Sequence, residues 1–190
     1  MNKMIVMAAA IALVGCQADV APPLAGAAIG GPFTLMNEDG VRVTDAAFAG
    51  SYRLIYFGYT YCPDVCPVDV QKLMQGLTRF ETKAPAAAAR VQPLFITVDP
   101  ERDTPAVLKT FTAAFHRRLI GLTGSPADIA ATAKRFAVVY QKAPETSPGV
   151  YLVDHSRTAI LFDPKGAPIA LIPQDGTPDQ IAGELARWVK

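Results

Sequence analysis

Arg53-Leu54-Ile55-Tyr56-Phe57-Gly58-Tyr59 is a run of strand formers without polar alternation. A strand that offers apolar side chains to both faces belongs inside a sheet covered on both sides. The chain then turns at once. Tyr61-Cys62-Pro63-Asp64-Val65-Cys66-Pro67 follows, and from Pro63 to about Lys83 the residues Val65, Val70, Leu73, Met74, Leu77 and Phe80 recur at helical spacing. A second buried-strand run, Val91 to Val98, ends at Asp99-Pro100. A central strand, a tight turn and an amphipathic helix leading to another buried strand describe a β-α-β unit.

The pattern repeats downstream. Thr104-Pro105 starts a helix to about His116, with Thr as cap and Pro at the first position. Leu119 to Leu122 is a short strand, Ser125-Pro126 opens a helix to about Phe136, and Val138 to Gln141 extends again. Ala159–Phe162 and Ile169–Ile172 flank Asp163-Pro164-Lys165-Gly166, a hairpin signal, and Thr177-Pro178 caps a last helix to Trp188. Upstream, Phe33–Leu35 and Val41–Val43 flank Asn37-Glu38-Asp39-Gly40, a second hairpin signal. The stretch Ala84 to Ala89 reads as a helix end plus loop. This order predicts an α/β fold: a thioredoxin-like mixed sheet with helices on both faces and an N-terminal hairpin, spanning residues 30–190. The 190-residue chain suits one domain and needs no covalent staples.

Composition removes whole classes of function. Lys and Arg number 18 against 17 Asp and Glu, so there is no electrostatic footprint for nucleic acid. A hydrophobic share of 51% is too high for a disordered chain. No run reaches the ~18 apolar residues of a membrane-spanning helix. Three cysteines are too few for a disulfide scaffold and enough for one small soft-metal or redox site.

The N-terminus reads as a targeting segment. Lys3 precedes an apolar stretch, Met4 to Val14, closed by Gly15-Cys16. Residues 1–15 are therefore expected to be a signal peptide. Leu13-Val14-Gly15-Cys16 is similar to a bacterial lipobox, which implies cleavage before Cys16 and lipid on that residue. Residues 16–29 are small and Pro-containing, and read as a tether. The expected location is the periplasmic face of a bacterial membrane, held by the lipid.

Three residues separate Cys62 from Cys66. Positions i and i+4 share a helix face, and a helix start favours thiolate through its unpaired N–H groups and dipole. Two adjacent thiolates suit a soft ion such as Cu(I), and equally a reversible disulfide. The spacing excludes a c-type haem site and differs from the two-residue spacing of the ordinary thioredoxin motif. Structural zinc needs about four ligands, and a set including His116 has no support. An inert bridge is disfavoured, because closing so short a loop constrains the unfolded chain little. His155, in Val153-Asp154-His155-Ser156, directly precedes the strand Ala159–Phe162 on the side where the cysteine turn should lie. A neutral imidazole there would complete a three-coordinate S,S,N set. His116 lies near a helix C-terminus beside Arg117 and Arg118 and reads as structural.

At these residues the sequence resembles the Sco/SenC copper-chaperone family. The marks are Phe57-Gly58-Tyr59-Thr60-Tyr61-Cys62-Pro63-Asp64-Val65-Cys66-Pro67, Thr97-Val98-Asp99-Pro100-Glu101-Arg102-Asp103-Thr104-Pro105, Gly121-Leu122-Thr123-Gly124-Ser125 and Val153-Asp154-His155-Ser156. The resemblance implies a thioredoxin-like fold and a copper ion held by Cys62, Cys66 and His155. It also implies a role in building the copper centre of cytochrome oxidase. The partner would be the oxidase's copper-bearing subunit or an assembly factor, served by copper delivery or by reduction of its cysteines. Asp99 would lie near the metal face, and Asp64 and Asp154 adjoin ligands; these three are candidates for tuning the site. A thiol–disulfide oxidoreductase using Cys62 and Cys66 is the competing reading. A peroxidase on the same fold is discounted, because Ile55 and Tyr59 stand where its Pro and Thr would precede Cys62.

Overall fold

The computed structural model describes residues 20–190. The predicted signal, Cys16 and the start of the tether lie outside them. Among the described residues, nine strands and five α-helices follow in chain order: β1 (Thr34–Asn37), β2 (Arg42–Thr44), β3 (Tyr52–Gly58), α1 (Val65–Lys83), α2 (Pro85–Ala88), β4 (Val91–Thr97), α3 (Pro105–Ala113), β5 (Ile120–Thr123), α4 (Pro126–Arg135), β6 (Tyr140–Lys142), β7 (Val153–His155), β8 (Ala159–Phe162), β9 (Pro168–Ile172) and α5 (Pro178–Trp188).

Seven strands form one sheet in the order β2-β1-β5-β4-β3-β8-β9. Its centre, β5-β4-β3, is parallel, with Tyr56 opposite Phe95 and Leu94 opposite Ile120. Antiparallel pairs flank it: β1 on β5, and β8 on β3. All seven residues of β3 are buried, as its unbroken apolar run requires. Alternation sorts them. Tyr52, Leu54 and Tyr56 face a core shared with α1, Leu108 of α3 and α5, whereas Ile55 and Phe57 face one shared with Ile129 and Ala133 of α4. The caps are those expected. Thr104 opens α3, and Ser125 and Thr177 form reciprocal capping boxes with Asp128 and Gln180.

Several boundaries differ from expectation. The first hairpin is an edge of the main sheet, paired through β1 to β5. Helix α1 begins at Val65, because the chain needs Pro63 and Asp64 to turn from the sheet end. The segment 84–89 holds the one-turn helix α2. The tether does not extend to residue 29: Leu24 N–H donates to Ile169 O at 3.0 Å, Gly30 N–H donates to Arg135 O at 2.8 Å, and Leu24 and Ile29 pack on the core. Two apolar residues among small ones give no periodic signal, yet each finds an apolar surface. Finally, β7 pairs antiparallel with β6 in a ribbon separate from the main sheet, placing His155 opposite Tyr140.

Candidate metal centre

The parallel strands β3 and β4 end side by side at Gly58 and Thr97. Ligands of open α/β sheets sit beyond these carboxyl ends. Here the chain leaves β3, turns through Tyr59 to Asp64 and enters α1, so Cys62 lies in the turn and Cys66 in the first helical turn. Both cysteines are free and buried. The Cys62 sulfur receives the Cys66 backbone N–H at 3.4 Å, an unpaired helix-start donor. Gly58 makes room for Cys66: a Cβ there would stand 3.2 Å from its sulfur, and 2.9 Å from the Tyr56 ring.

His155 completes the group. Its Nε2 lies 3.1 Å from Cys66 Sγ, and its Nδ1 lies 3.1 Å from Ser156 O. Only an N–H can satisfy that carbonyl, so Nδ1 carries the proton and Nε2 presents its lone pair to the thiol. Burial pushes the imidazole below its ordinary value and pushes the Cys66 thiol well above its own, which matches an S–H donating to a neutral ring. Burial also raises the Cys62 thiol, but backbone N–H groups of Cys66, Asp64 and Val65, together with the Cys66 side chain, outweigh it and the net direction is down. The pair is asymmetric: a thiolate-prone Cys62 in the turn and a protonated Cys66 beneath it. Tyr56 and Tyr59 close on the His155 ring edge-on, with centroids at 6.3 and 5.9 Å.

Among the described residues no three His, Cys, Asp or Glu side chains are already gathered as a metal cluster. Cys66 and His155 meet, while Cys62 is turned to the helix-start N–H. The donor set itself fits a soft monovalent ion, with two sulfurs and one neutral imidazole nitrogen.

The acidic candidates have other tasks. Asp99 is buried, accepts from Arg102 Nε at 2.5 Å and from the Tyr151 hydroxyl at 2.8 Å, and touches none of the three donors through a hydrogen bond. It acts through Arg102, whose guanidinium lies 3.6 Å from the Tyr151 ring centroid and 4.9 Å from that of Tyr61, and whose Nη1 donates to Tyr151 O. This links the loop after β4 to the segment leading into β7. Asp64 and Asp154 are exposed, and Asp64 contributes its backbone N–H rather than its carboxylate. His116 is structural, as expected, but its partners are Glu81 and the Arg118 backbone N–H.

Two buried carboxylates escape sequence reasoning. Asp103, fully buried, takes the Thr60 N–H at 3.0 Å and the hydroxyls of Thr60 and Thr97 at 2.5 and 2.6 Å, tying the cysteine turn to the end of β4. Asp69, also fully buried, accepts from the Tyr56 hydroxyl at 2.9 Å and pairs with Arg157. A polar residue at an apolar helix position was the available signal for Asp69.

The sequence model described as SCO1/SenC matches residues 21–190. The chain is 44% identical to "Protein SCO1 homolog 1, mitochondrial" of Arabidopsis thaliana over 75% of its own length and 42% of that protein's. It is 42% identical to "Protein SenC" of Rhodobacter capsulatus over 85% and 71%, respectively. It thus spans less than half of the plant relative. The solved structure of Bradyrhizobium japonicum ScoI with copper bound superposes with a TM-score of 0.76 at 39% identity, covering 85% of this chain and 99% of that one. A member of the Sco family of cytochrome c oxidase assembly proteins, BsSco, in which a disulfide switch was identified, superposes with a TM-score of 0.62 at 29% identity, covering 84% and 94%. The thioredoxin-like fold expected from the element order is therefore that of its structural neighbours, and the chain belongs to the SCO1/SenC family.

Proposed function

We propose that this protein binds copper through Cys62, Cys66 and His155 and supports assembly of the copper centre of cytochrome oxidase. The observation that carries the reading is the 3.1 Å contact between Cys66 Sγ and His155 Nε2, with the Cys62 sulfur held at the same helix start. Copper is cargo in this reading. Binding displaces the thiol protons of Cys62 and Cys66 and leaves the Nδ1 proton of His155 on Ser156 O, so uptake is accompanied by proton release. The copper-bound ScoI neighbour supports the choice of metal. Copper stoichiometry and competition titration of reduced protein, wild type against His155→Ala, test it. The variant should bind at least about tenfold more weakly, the loss typical even of outer-shell changes. Equal affinity would remove His155 from the site.

A second activity has its own support in the asymmetry of the thiols. Cys62, shifted down, is suited to attack a recipient disulfide. Cys66 would then lose its proton and resolve the mixed disulfide, leaving a Cys62–Cys66 bond and a reduced recipient. The two activities alternate, since the oxidised pair has no thiolate for copper. Oxidised or thiol-blocked protein should take up no copper, while full uptake would exclude the thiols as ligands.

We further propose that Cys16 is lipidated after removal of residues 1–15 and anchors the domain at the periplasmic face of a membrane. The Leu13–Cys16 tetrad supports this. Cys16→Ser should release the protein into the soluble fraction, and an unchanged membrane fraction would refute the anchor.

A further inference from the structure

We propose that Asp69 and Arg157 are positioning residues that hold His155 on Cys66 before any metal arrives. Asp69 lies three residues after Cys66 on α1, so the two share a helix face. Arg157 lies two residues after His155. The helix and the segment leaving β7 therefore meet twice. One contact is Cys66 with His155; the other is a fork in which Arg157 Nε and Nη2 donate to Asp69 Oδ2 and Oδ1 at 3.0 and 2.6 Å. A bidentate guanidinium–carboxylate pair fixes direction as well as distance.

The fork is braced on both sides. The Tyr56 hydroxyl of β3 donates to Asp69 Oδ2, and burial pushes that hydroxyl far up, which keeps its donor proton in place. The Tyr56 ring stands edge-on to the His155 ring, at 89°. Gln174, beyond β9, donates to Arg157 O at 2.6 Å. A fully buried carboxylate is a poor source of stability, because desolvation offsets its attraction; what such a pair supplies well is registry between two segments. The segment after β7 lacks main-sheet pairing until Ala159, so side chains must set its register against α1. Among the described residues, Arg157 is the side chain that reaches from that segment to a charge on the cysteine-bearing helix.

This inference rests on the copper reading only for its affinity measurement, so the test has a metal-free arm. Ring-proton shifts and contacts of His155 to Tyr56 and Tyr59 are measured by NMR on the reduced, metal-free protein. The variants are Arg157→Gln, Arg157→Lys, and Asp69→Asn with Arg157→Gln, the last leaving no unpaired buried charge. Both contacts should be lost in Arg157→Gln and in the double variant, and partly kept in Arg157→Lys. In the second arm, Cu(I) affinity should fall about tenfold or more in Arg157→Gln. The same change in a His155→Ala background should have no further effect, because Arg157 acts through His155. Intact His155 contacts in the double variant would overturn the proposal, as would an equal loss of affinity in the His155→Ala background. If wild type and His155→Ala bind copper equally, the copper reading falls, and the NMR arm still decides the positioning role.

Discussion

The Cys66 thiol and the His155 imidazole meet at 3.1 Å across 89 residues of chain. Neither environment alone produces that contact. Cys66 is delivered by the first turn of α1, which the end of β3 aims across the sheet edge. His155 is delivered by a two-stranded ribbon outside the sheet, whose approach is tied to the β4 loop by Arg102 and Tyr151. The partners share one proton arrangement, a thiol donating to Nε2 and Nδ1 donating to Ser156 O. Only the Cys66 thiol must lose a proton before the two contacting atoms can take a soft ion, because Nε2 already presents its lone pair.

The opposite shifts of the two thiols predict unequal alkylation. Cys62 should react with iodoacetamide at neutral pH at least about tenfold faster than Cys66, as reactivity follows thiolate population. The Cys62 rate should rise with pH through a midpoint below the ordinary thiol value. Mass mapping of singly alkylated protein checks this, and first modification at Cys66 would contradict the assignment of roles.

Asp103→Ala should destabilise the protein by about 3 kcal/mol, because it strands the half-buried Thr60 N–H and hydroxyl and the fully buried Thr97 hydroxyl, at ~1–3 kcal/mol for each buried donor left unpaired. Its pH dependence has a definite sign. Burial raises the Asp103 carboxyl above 3.8 despite its hydrogen bonds from Thr60 and Thr97. A folded value above the unfolded one gives stability that is fully present below 3.8 and lost as pH rises through the folded value. Against Asp103→Asn, wild type should therefore lose relative stability from the ordinary aspartate range upward. Urea denaturation at a series of pH values reads this, and a relative gain with rising pH would contradict the sign.

Gly76→Ala tests the packing of α1 on α5. A Cβ at Gly76 would come within 2.3 Å of Ile181 Cγ2 and 3.2 Å of the Pro178 backbone carbonyl. The helix gains about 1 kcal/mol in propensity and loses more to the clash, since overpacking costs ~1–3 kcal/mol and the neighbour is backbone on one side. The net expectation is a loss of about 1–2 kcal/mol in thermal or urea denaturation. Ile181→Val in the same chain should recover part of it. Copper affinity should not change, because Gly76 lies almost three helical turns along α1 from Cys66.

Local codes were legible because neighbours in sequence enforce them. The unbroken run at β3, the helical spacing of α1 and the Thr-Pro and Ser-Pro starts are short-range signals, and their order implies the sheet. Cys62, Cys66 and His155 also stood out, since their chemistry is rare in this chain. Asp69 and Asp103 did not stand out: a carboxylate on a helix or in a turn is ordinarily solvated, and only their burial shows otherwise. Strand β7 is not legible in the sequence, because three residues carry no periodicity.

The amino-acid order by itself determined the α/β alternation, the place of the cysteine pair at a helix start, and the set of side chains able to bind a soft ion. Tertiary structure alone decided which atoms meet. It put His155 on Cys66 rather than midway between the cysteines, turned Cys62 to a helix-start N–H, and gave Asp69 to Arg157 and Asp99 to Arg102. The reason is physical. Hydrophobic periodicity and caps act within a few residues, whereas these contacts join segments whose relative register is set by packing and by the hydrogen bonds that buried carboxylates require.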